Sequence, residues 1–375
     1  MFKSYKKFVI YSLLIPLPFI LFLGVLLYVY DPLQLYHEPW FRKKTYYNDL
    51  TISSKGIIDH NKFDSIIFGT SMLQNTSSFE ATSKLGGQFI NLSIGGSTFE
   101  QRKIILDYIL KKHTIKHLVI SLDEFAIMDV KFQNFSNFSY LYDQNPYNDL
   151  KIYLNKKFIF CALKFSSNKK CVGDDAELEN LPKWIKSSIA QKQFGGIENW
   201  VKNIEEGVRE DIKKIMQLYN GNYIHDYSSK DLNVLKNHID IYIFNYAKMY
   251  PNIQFSLILP TYSRVYHKMA QVDFQYYQQW LDLIKYIILK SKTLENIKIY
   301  GFDDLGYADD IANYKDLNHY NIDMNSMQLD AIKNQTNILT PENMDEYFKI
   351  MEEKIKNYDL NPLIEQIKAS GILDK

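Results

Sequence analysis

The chain has 375 residues, of which 46% are hydrophobic and 23% charged, the balance of a globular protein with a sizeable core. Its 44 basic side chains face 43 acidic ones, so nothing draws the whole chain toward nucleic acid and that class of partner is excluded. Aromatic residues reach 15%, which suits sugar stacking but is equally what an AT-rich coding sequence yields, so it selects nothing by itself.

The first predicted element is an apolar run, "FVIYSLLIPLPFILFLGVLLYVY", over residues 8–30, uncharged throughout and long enough to cross a bilayer of about 30 Å. Pro16 and Pro18 suit a membrane span better than a water-soluble helix, and Tyr28, Tyr30 and Trp40 suit an interface. Lys3, Lys6 and Lys7 precede the run, which by the positive-inside rule leaves the N-terminus in the cytoplasm and the rest outside, although Arg42, Lys43 and Lys44 on the far side oppose that assignment. The run is too long for a cleaved signal peptide and no small-residue cleavage site follows it, so it is expected to stay as an anchor.

Residues 31–60 read as a juxtamembrane linker. Short apolar runs then recur at 64–68, 88–94, 117–123, 253–259 and 296–302, each of the kind that forms a buried parallel strand. Helical patterns starting at 98, 231 and 274 alternate with them, which predicts an α/β fold with a five-stranded parallel sheet and ligands at the carboxyl ends of the strands. About 105 residues, 130–235, separate the third and fourth strands, too many for a crossover, and a helical insertion is expected there, either a lid beside the site or a purely structural appendage, with a helix over 195–219. It contains Cys161 and Cys171, which either bridge in an oxidising compartment or stay as two buried thiols. The α/β domain is assigned to 61–357, with Thr340 as N-cap of its last helix and Pro341 at the first helical position, and 358–375 as a tail.

The chemistry gathers at one edge of the expected sheet. "FGTSMLQ" puts Ser71 in the turn after the first strand, a position for a nucleophile, although the same tripeptide also makes ordinary turns. Leu73 stands where the elbow of an α/β-hydrolase requires glycine, which disfavours that fold. "NLSIGGST" leaves the amides of Gly95 and Gly96 unobstructed after the second strand, and "NYKDLNHYN" puts Asp316 three residues before His319, a spacing that lets the carboxylate accept from the imidazole. Tyr262 and Arg264, beyond the fourth strand, are candidate contacts to an acyl group or sugar, with a surface-turn role as the alternative. The aspartates of 302–310 do not match a calcium loop and read as solvated; the remaining histidines, His267 among them, read as structural or exposed.

Ser71, the Gly95-Gly96 loop and Asp316-x-x-His319, in that order, resemble the SGNH (GDSL-like) hydrolase superfamily, and more narrowly its membrane-anchored branch associated with cell-surface polysaccharide acylation. "DPLQLYH" after the anchor and "LILPTYSRVY" at 257–266 also look like that branch. The resemblance implies a three-layer sandwich, Ser71 as nucleophile, His319 as base, Asp316 as its orienting carboxylate, and the amides of Ser71 with Gly95 or Gly96 as oxyanion donors. It implies an esterase or O-acyltransferase, for acetyl groups above others, working on an envelope glycan; the residues themselves suggest no metal or other cofactor. One departure stands out: where the family's third block supplies an asparagine, this chain has Asp123 and Glu124, and a carboxylate cannot donate to an oxyanion. The rival expectation is a non-catalytic envelope scaffold that binds glycan or a membrane-bound acyltransferase.

Overall fold

The run Ser65-Ile66-Ile67-Phe68 joins β-branched and aromatic residues with no polar alternation, which favours an extended chain covered on both faces. In the computed structural model, which describes residues 2–128, 136–143, 145–225 and 230–374, Ser65–Phe68 is strand β1 and is wholly buried. Strands β2 (Phe89–Asn91), β3 (His117–Ser121), β4 (Gln254–Ile258) and β5 (Ile297–Tyr300) complete one sheet in the order β2-β1-β3-β4-β5, every pair parallel. Ile66 lies opposite Ile90 on one side and Leu118 on the other, so the apolar centres of the strands are in register.

The order reverses direction at β1, because the chain first steps outward to β2 and then returns past β1 to β3. The carboxyl ends flanking such a reversal splay apart, and ligands of open parallel sheets sit there. Pairing outlasts β2: Leu92 N donates to Ile67 O at 2.9 Å and Ile94 N to Gly69 O at 2.9 Å, so the loops after β1 and β2 are tied together.

The chain divides into two compact units, the second of which (Phe63–Lys103, His113–Gln133, Pro182–Lys375) holds the sheet. Its longest helix, Phe274–Ser291, starts where the Asp273 side chain accepts from Tyr276 N at 3.0 Å and buries Tyr277, Trp280, Leu281, Ile284 and Ile288 at helical spacing. Emptying that stripe at Ile284 alone by an alanine would cost about 2–5 kcal/mol. Two expected helices are interrupted. Residues 231–250 form Leu232–Ile239, a wide π-type turn over Asp240–Phe244, and Asn245–Met249; the turn keeps Ile239, Ile243, Phe244 and Ala247 buried. The helix expected over 195–219 is Ile197–Lys202 and Glu206–Tyr219, split at Asn203, whose side chain donates to Asn199 O and Lys192 O. The last long helix begins at Met344, not at Pro341, because Thr340 O takes the amides of Asn343 and Met344 in a turn that precedes it. Residues expected as a tail carry the helix Asn361–Ala369, whose Leu363, Ile364 and Ile367 are buried.

The first unit comprises Met1–Lys62, Ile104–Lys112 and Asn134–Leu181. It carries the one helical segment among the described residues that is long and apolar enough to span a membrane, Tyr5–Tyr30, with mean hydropathy 2.5. Pro16 breaks the segment into Phe2–Leu14 and Leu17–Tyr30, since it has no N–H to give the preceding turn. The segment ends at Asp31, whose carboxylate accepts from the amides of Leu35, Tyr36 and His37 at 2.8–3.0 Å and from Tyr153 OH. Residues 31–60 are thus an ordered turn followed by the helix Leu50–His60, seated so closely that a Cβ on Gly56 would lie 2.4 Å from the carbonyl oxygens of Leu33 and Gln34. Buried Lys55 meets Asp149 at 3.1 Å and Tyr108 OH at 3.1 Å. Cys161 and Cys171 are joined as a disulfide. The stretch expected as one insertion is therefore divided, residues 136–181 going with the first unit and 182–225 with the second; its residues 130–135, 144 and 226–229 lie outside those described.

Candidate active site

Gly69 closes β1 because nothing larger fits: a Cβ there would lie 2.4 Å from Ser121 Oγ. Its amide donates to Ser93 Oγ at 3.0 Å, and the next amide, of Thr70, donates to Ser121 Oγ at 3.2 Å. The Thr70 hydroxyl accepts from Met72 N and donates to Asp123, which caps the short helix Ser71–Gln74. Ser71 is thus the first residue of a one-turn helix at the carboxyl end of β1.

One turn cannot satisfy its own carbonyls, and distant side chains do so instead. Trp184 Nε1 donates to Ser71 O at 2.8 Å, while Tyr320 OH and Asn325 Nδ2 each donate to Met72 O at 2.9 Å. Asn91 Nδ2 takes Leu73 O and Thr76 O, both at 2.8 Å. Two of these donors, Tyr320 and Asn325, follow His319 closely in the chain, so capping the serine helix docks the histidine loop upon it.

That loop is closed on itself. Tyr314 and Tyr320 pair as an antiparallel bridge, Lys315 N donates to His319 O at 3.1 Å, and Trp200 Nε1 holds Tyr314 O at 2.9 Å. Inside it Asp316 Oδ1 accepts from the amides of Asn318 and His319 at 3.0 and 2.8 Å, and Oδ2 from Lys315 Nζ at 2.8 Å. His319 Nδ1 lies 2.9 Å from Asp316 Oδ1 and 2.8 Å from Oδ2, and His319 Nε2 lies 2.8 Å from Ser71 Oγ. An ionised carboxylate only accepts, so Nδ1 carries the ring proton and Nε2 is left to accept from the serine hydroxyl. Burial opposes the charge on Asp316, but His319 and Lys315 outweigh it and hold the carboxyl far below the usual range.

The second loop is at hand. Ile94 N on Gly69 O fixes its start, and the N–H groups of Ser71, Gly95 and Gly96 have no acceptor among the described residues. Gly96 has φ +65°, a conformation that glycine adopts without strain. Asp123 is not a loose carboxylate facing that space. It is fully buried, accepts from the hydroxyls of Thr70 and Ser121, and lies 3.7 Å from Arg102 Nη2, while Arg102 Nη1 donates to Ser121 O at 3.0 Å. Glu124 is buried as well, and burial pushes its carboxyl up.

Tyr262 and Arg264 part company. Tyr262 lines a cavity of about 190 Å³ together with Phe125, Asp211, Tyr266, Leu317 and Asn318. Arg264 is wholly buried, with Nε on Asp309 Oδ1 at 2.6 Å and Nη2 on Asp303 O at 2.8 Å, so it braces the 302–310 segment. That segment is not a solvated loop: Asp303 is buried against His267 at 3.3 Å and Tyr347 OH at 3.0 Å, and Lys354 takes Asp309 at 2.7 Å.

Three residues beside the site had no mark in the sequence. Trp184 sets its ring 5.5 Å from that of His319, edge to face, with Lys315 Nζ over the indole at 5.1 Å. Asp211 Oδ2 accepts from Leu317 N at 3.0 Å, and burial together with the charge of Asp316 pushes its carboxyl up to about 6. Arg102 is the third. None belongs to a motif: Trp184 and Asp211 reach partners 113 and 106 residues away, and Arg102 one 19 residues away.

Comparison of the chain with protein-family models, with curated proteins and with solved structures found no match in any of the three.

Proposed function

We propose that the chain is a membrane-anchored serine acyl-esterase or O-acyltransferase of the SGNH type, a three-layer α/β domain acting on O-acetyl groups of a cell-envelope polysaccharide. The observation that carries this reading is the line from Ser71 Oγ to His319 Nε2 at 2.8 Å and from His319 Nδ1 to Asp316 at 2.8–2.9 Å, at the carboxyl end of β1 where the sheet order reverses. Ser71 Oγ attacks the ester carbonyl as its proton passes to His319 Nε2, and Asp316 keeps the Nδ1 proton and stabilises the imidazolium. The N–H groups of Ser71 and of Gly95 or Gly96 receive the developing oxyanion in place of the missing asparagine. Collapse expels the sugar alkoxide, which takes the proton from His319. Water or a sugar hydroxyl, deprotonated by the same nitrogen, then attacks the acyl-serine and restores the enzyme. Aromatic walls at Phe125, Tyr262 and Tyr266, with Asp211 and Asn318 as polar points, support seating of a sugar-sized group beside the histidine loop. The lysines before residue 8 and the Cys161–Cys171 disulfide support a cytoplasmic N-terminus and an oxidising compartment for the rest.

The test is a serine-directed fluorophosphonate probe applied to the full chain in membranes. Labelling is expected in the natural protein and absent from Ser71→Ala. Failure to label folded protein would replace this reading with the scaffold that binds glycan or a membrane acyltransferase. Unchanged O-acyl content of surface glycan, by NMR, in both a deletion strain and a Ser71→Ala strain would refute the substrate class.

A further inference from the structure

Exposed large apolar side chains gather around the C-terminal end of the apolar segment. Trp40 is 56% exposed, Phe41 73%, Phe160 53%, Leu163 56% and Phe165 47%. Large apolar side chains gathered this way on a water-facing surface mark a contact with a membrane or a partner.

They are continuous with the last turn of the segment. Tyr28 meets Trp40 with ring centres 6.3 Å apart, Tyr30 meets Phe165 at 6.0 Å, and Phe165 meets Phe41 at 6.3 Å. Tyr30 OH also donates to Ser166 O at 2.6 Å, which ties the disulfide loop to the helix end. Inside that loop Phe165 has φ +42°, a strained conformation for a bulky residue. Ser166 N on Cys161 O and Phe165 N on Ala162 O hold it, beside the Cys161–Cys171 bridge. The helix Lys156–Leu163 packs on Leu17–Tyr30 and buries Phe158, Cys161 and Ala162; Lys156, Lys157, Phe160 and Leu163 lie on its exposed face.

Charge completes the pattern. Residues 156–170 hold five lysines and no acidic residue, and Lys157, Lys169 and Lys170 outnumber Asp49 and Asp174 along one shallow groove that Tyr47 and Asn48 also line. Exposed apolar rings flanked by ammonium groups are what an anionic lipid surface accepts.

We infer that the Lys156–Leu163 helix, the Cys161–Cys171 loop and Trp40-Phe41 form a collar seated in the leaflet that the apolar segment enters, so that the first unit rests on anionic lipid. A disulfide, in this arrangement, fixes the loop that carries Phe165 to the bilayer. The collar is independent of Ser71 chemistry and stands or falls without it.

The experiment places the photoreactive residue benzoylphenylalanine at position 41, 160 or 165 of the full chain, reconstituted in vesicles of phosphatidylcholine and phosphatidylglycerol. Tyr147, 92% exposed in the same unit, is the control position. Lipid adducts at the three positions are expected in severalfold excess over position 147. Adducts to another protein or to a second copy of the chain, or lipid yields no higher than the control, would overturn the inference. A Lys164→Glu, Lys169→Glu, Lys170→Glu chain should lose yield at 165 in anionic vesicles and keep it in pure phosphatidylcholine; equal yields in both would remove the lysines from the contact.

Discussion

Replacing Arg102 by methionine isolates what positions the serine turn. Arg102 is 2% exposed and Asp123 is fully buried, with 3.7 Å between guanidinium and carboxylate. The substitution keeps most of the side-chain volume over Phe99, whose ring lies 4.2 Å from the guanidinium carbon, and removes only the charge and the donor to Ser121 O. Asp123 is then left as a buried carboxylate with two hydroxyls for company, a change that costs about 3–5 kcal/mol. For a unit of this size that is a fall in Tm of roughly 6–20 °C. Asp123→Asn alone strands the guanidinium instead and should cost a similar amount. The double variant has no stranded charge, and its asparagine still accepts from Thr70 Oγ1, so most of the loss should return. Thermal unfolding of all four proteins by near-ultraviolet circular dichroism gives the cycle. Losses that simply add in the double variant would refute the argument that the two charges compensate one another beneath Ser71.

Asp316→Asn should fold, because an amide oxygen still accepts from the amides of Asn318 and His319, yet slow fluorophosphonate labelling by about 10³–10⁴ through the wrong imidazole tautomer; a change below tenfold would count against Asp316 as the orienting group. Asp211→Asn tests the raised carboxyl. The fold favours the protonated form, so stability from this group is present below the unfolded value near 4 and lost as pH rises through about 6. The variant should therefore gain on the natural protein between pH 4 and pH 7, by at most about 3 kcal/mol before solvent screening, and a pH-independent difference in Tm would contradict it. Trp184→Phe keeps a ring beside His319 and deletes the donor to Ser71 O; a loss of about 1 kcal/mol in chemical denaturation is expected, and none would mean that the carbonyl finds water.

How much was legible follows from what each residue answers to. Strand positions answer to local hydrophobicity, so Ile66, Leu118 and Phe255 announce themselves. Ser71, Gly95 and the Asp316-His319 pair stand at strand ends or in one tight turn, where topology alone returns them to a common edge. Trp184 and Asp211 answer to partners 113 and 106 residues away, and Arg102 to a strand end 19 residues on, and no periodicity carries that information. The breaks at Asn203 and in the wide turn at Asp240–Phe244 were hidden differently: both stretches keep a helical pattern throughout, and at Asn203 a side chain that bonds the nearby carbonyls of Asn199 and Lys192 competes with the helix. Arg264 shows the converse, a residue at the right edge of the sheet whose guanidinium is claimed by Asp309 and Asp303 O.

The anchoring of the histidine loop has a consequence for how the chain tolerates change. Both Tyr320 and Asn325 hold a main-chain oxygen, that of residue 72, and a peptide oxygen is present whatever amino acid stands there. Genetic drift at position 72 can alter packing yet cannot erase the mooring point. Only the donors are vulnerable, and there are two of them, so the distance from serine to imidazole is guarded by a redundancy that lies wholly on one partner.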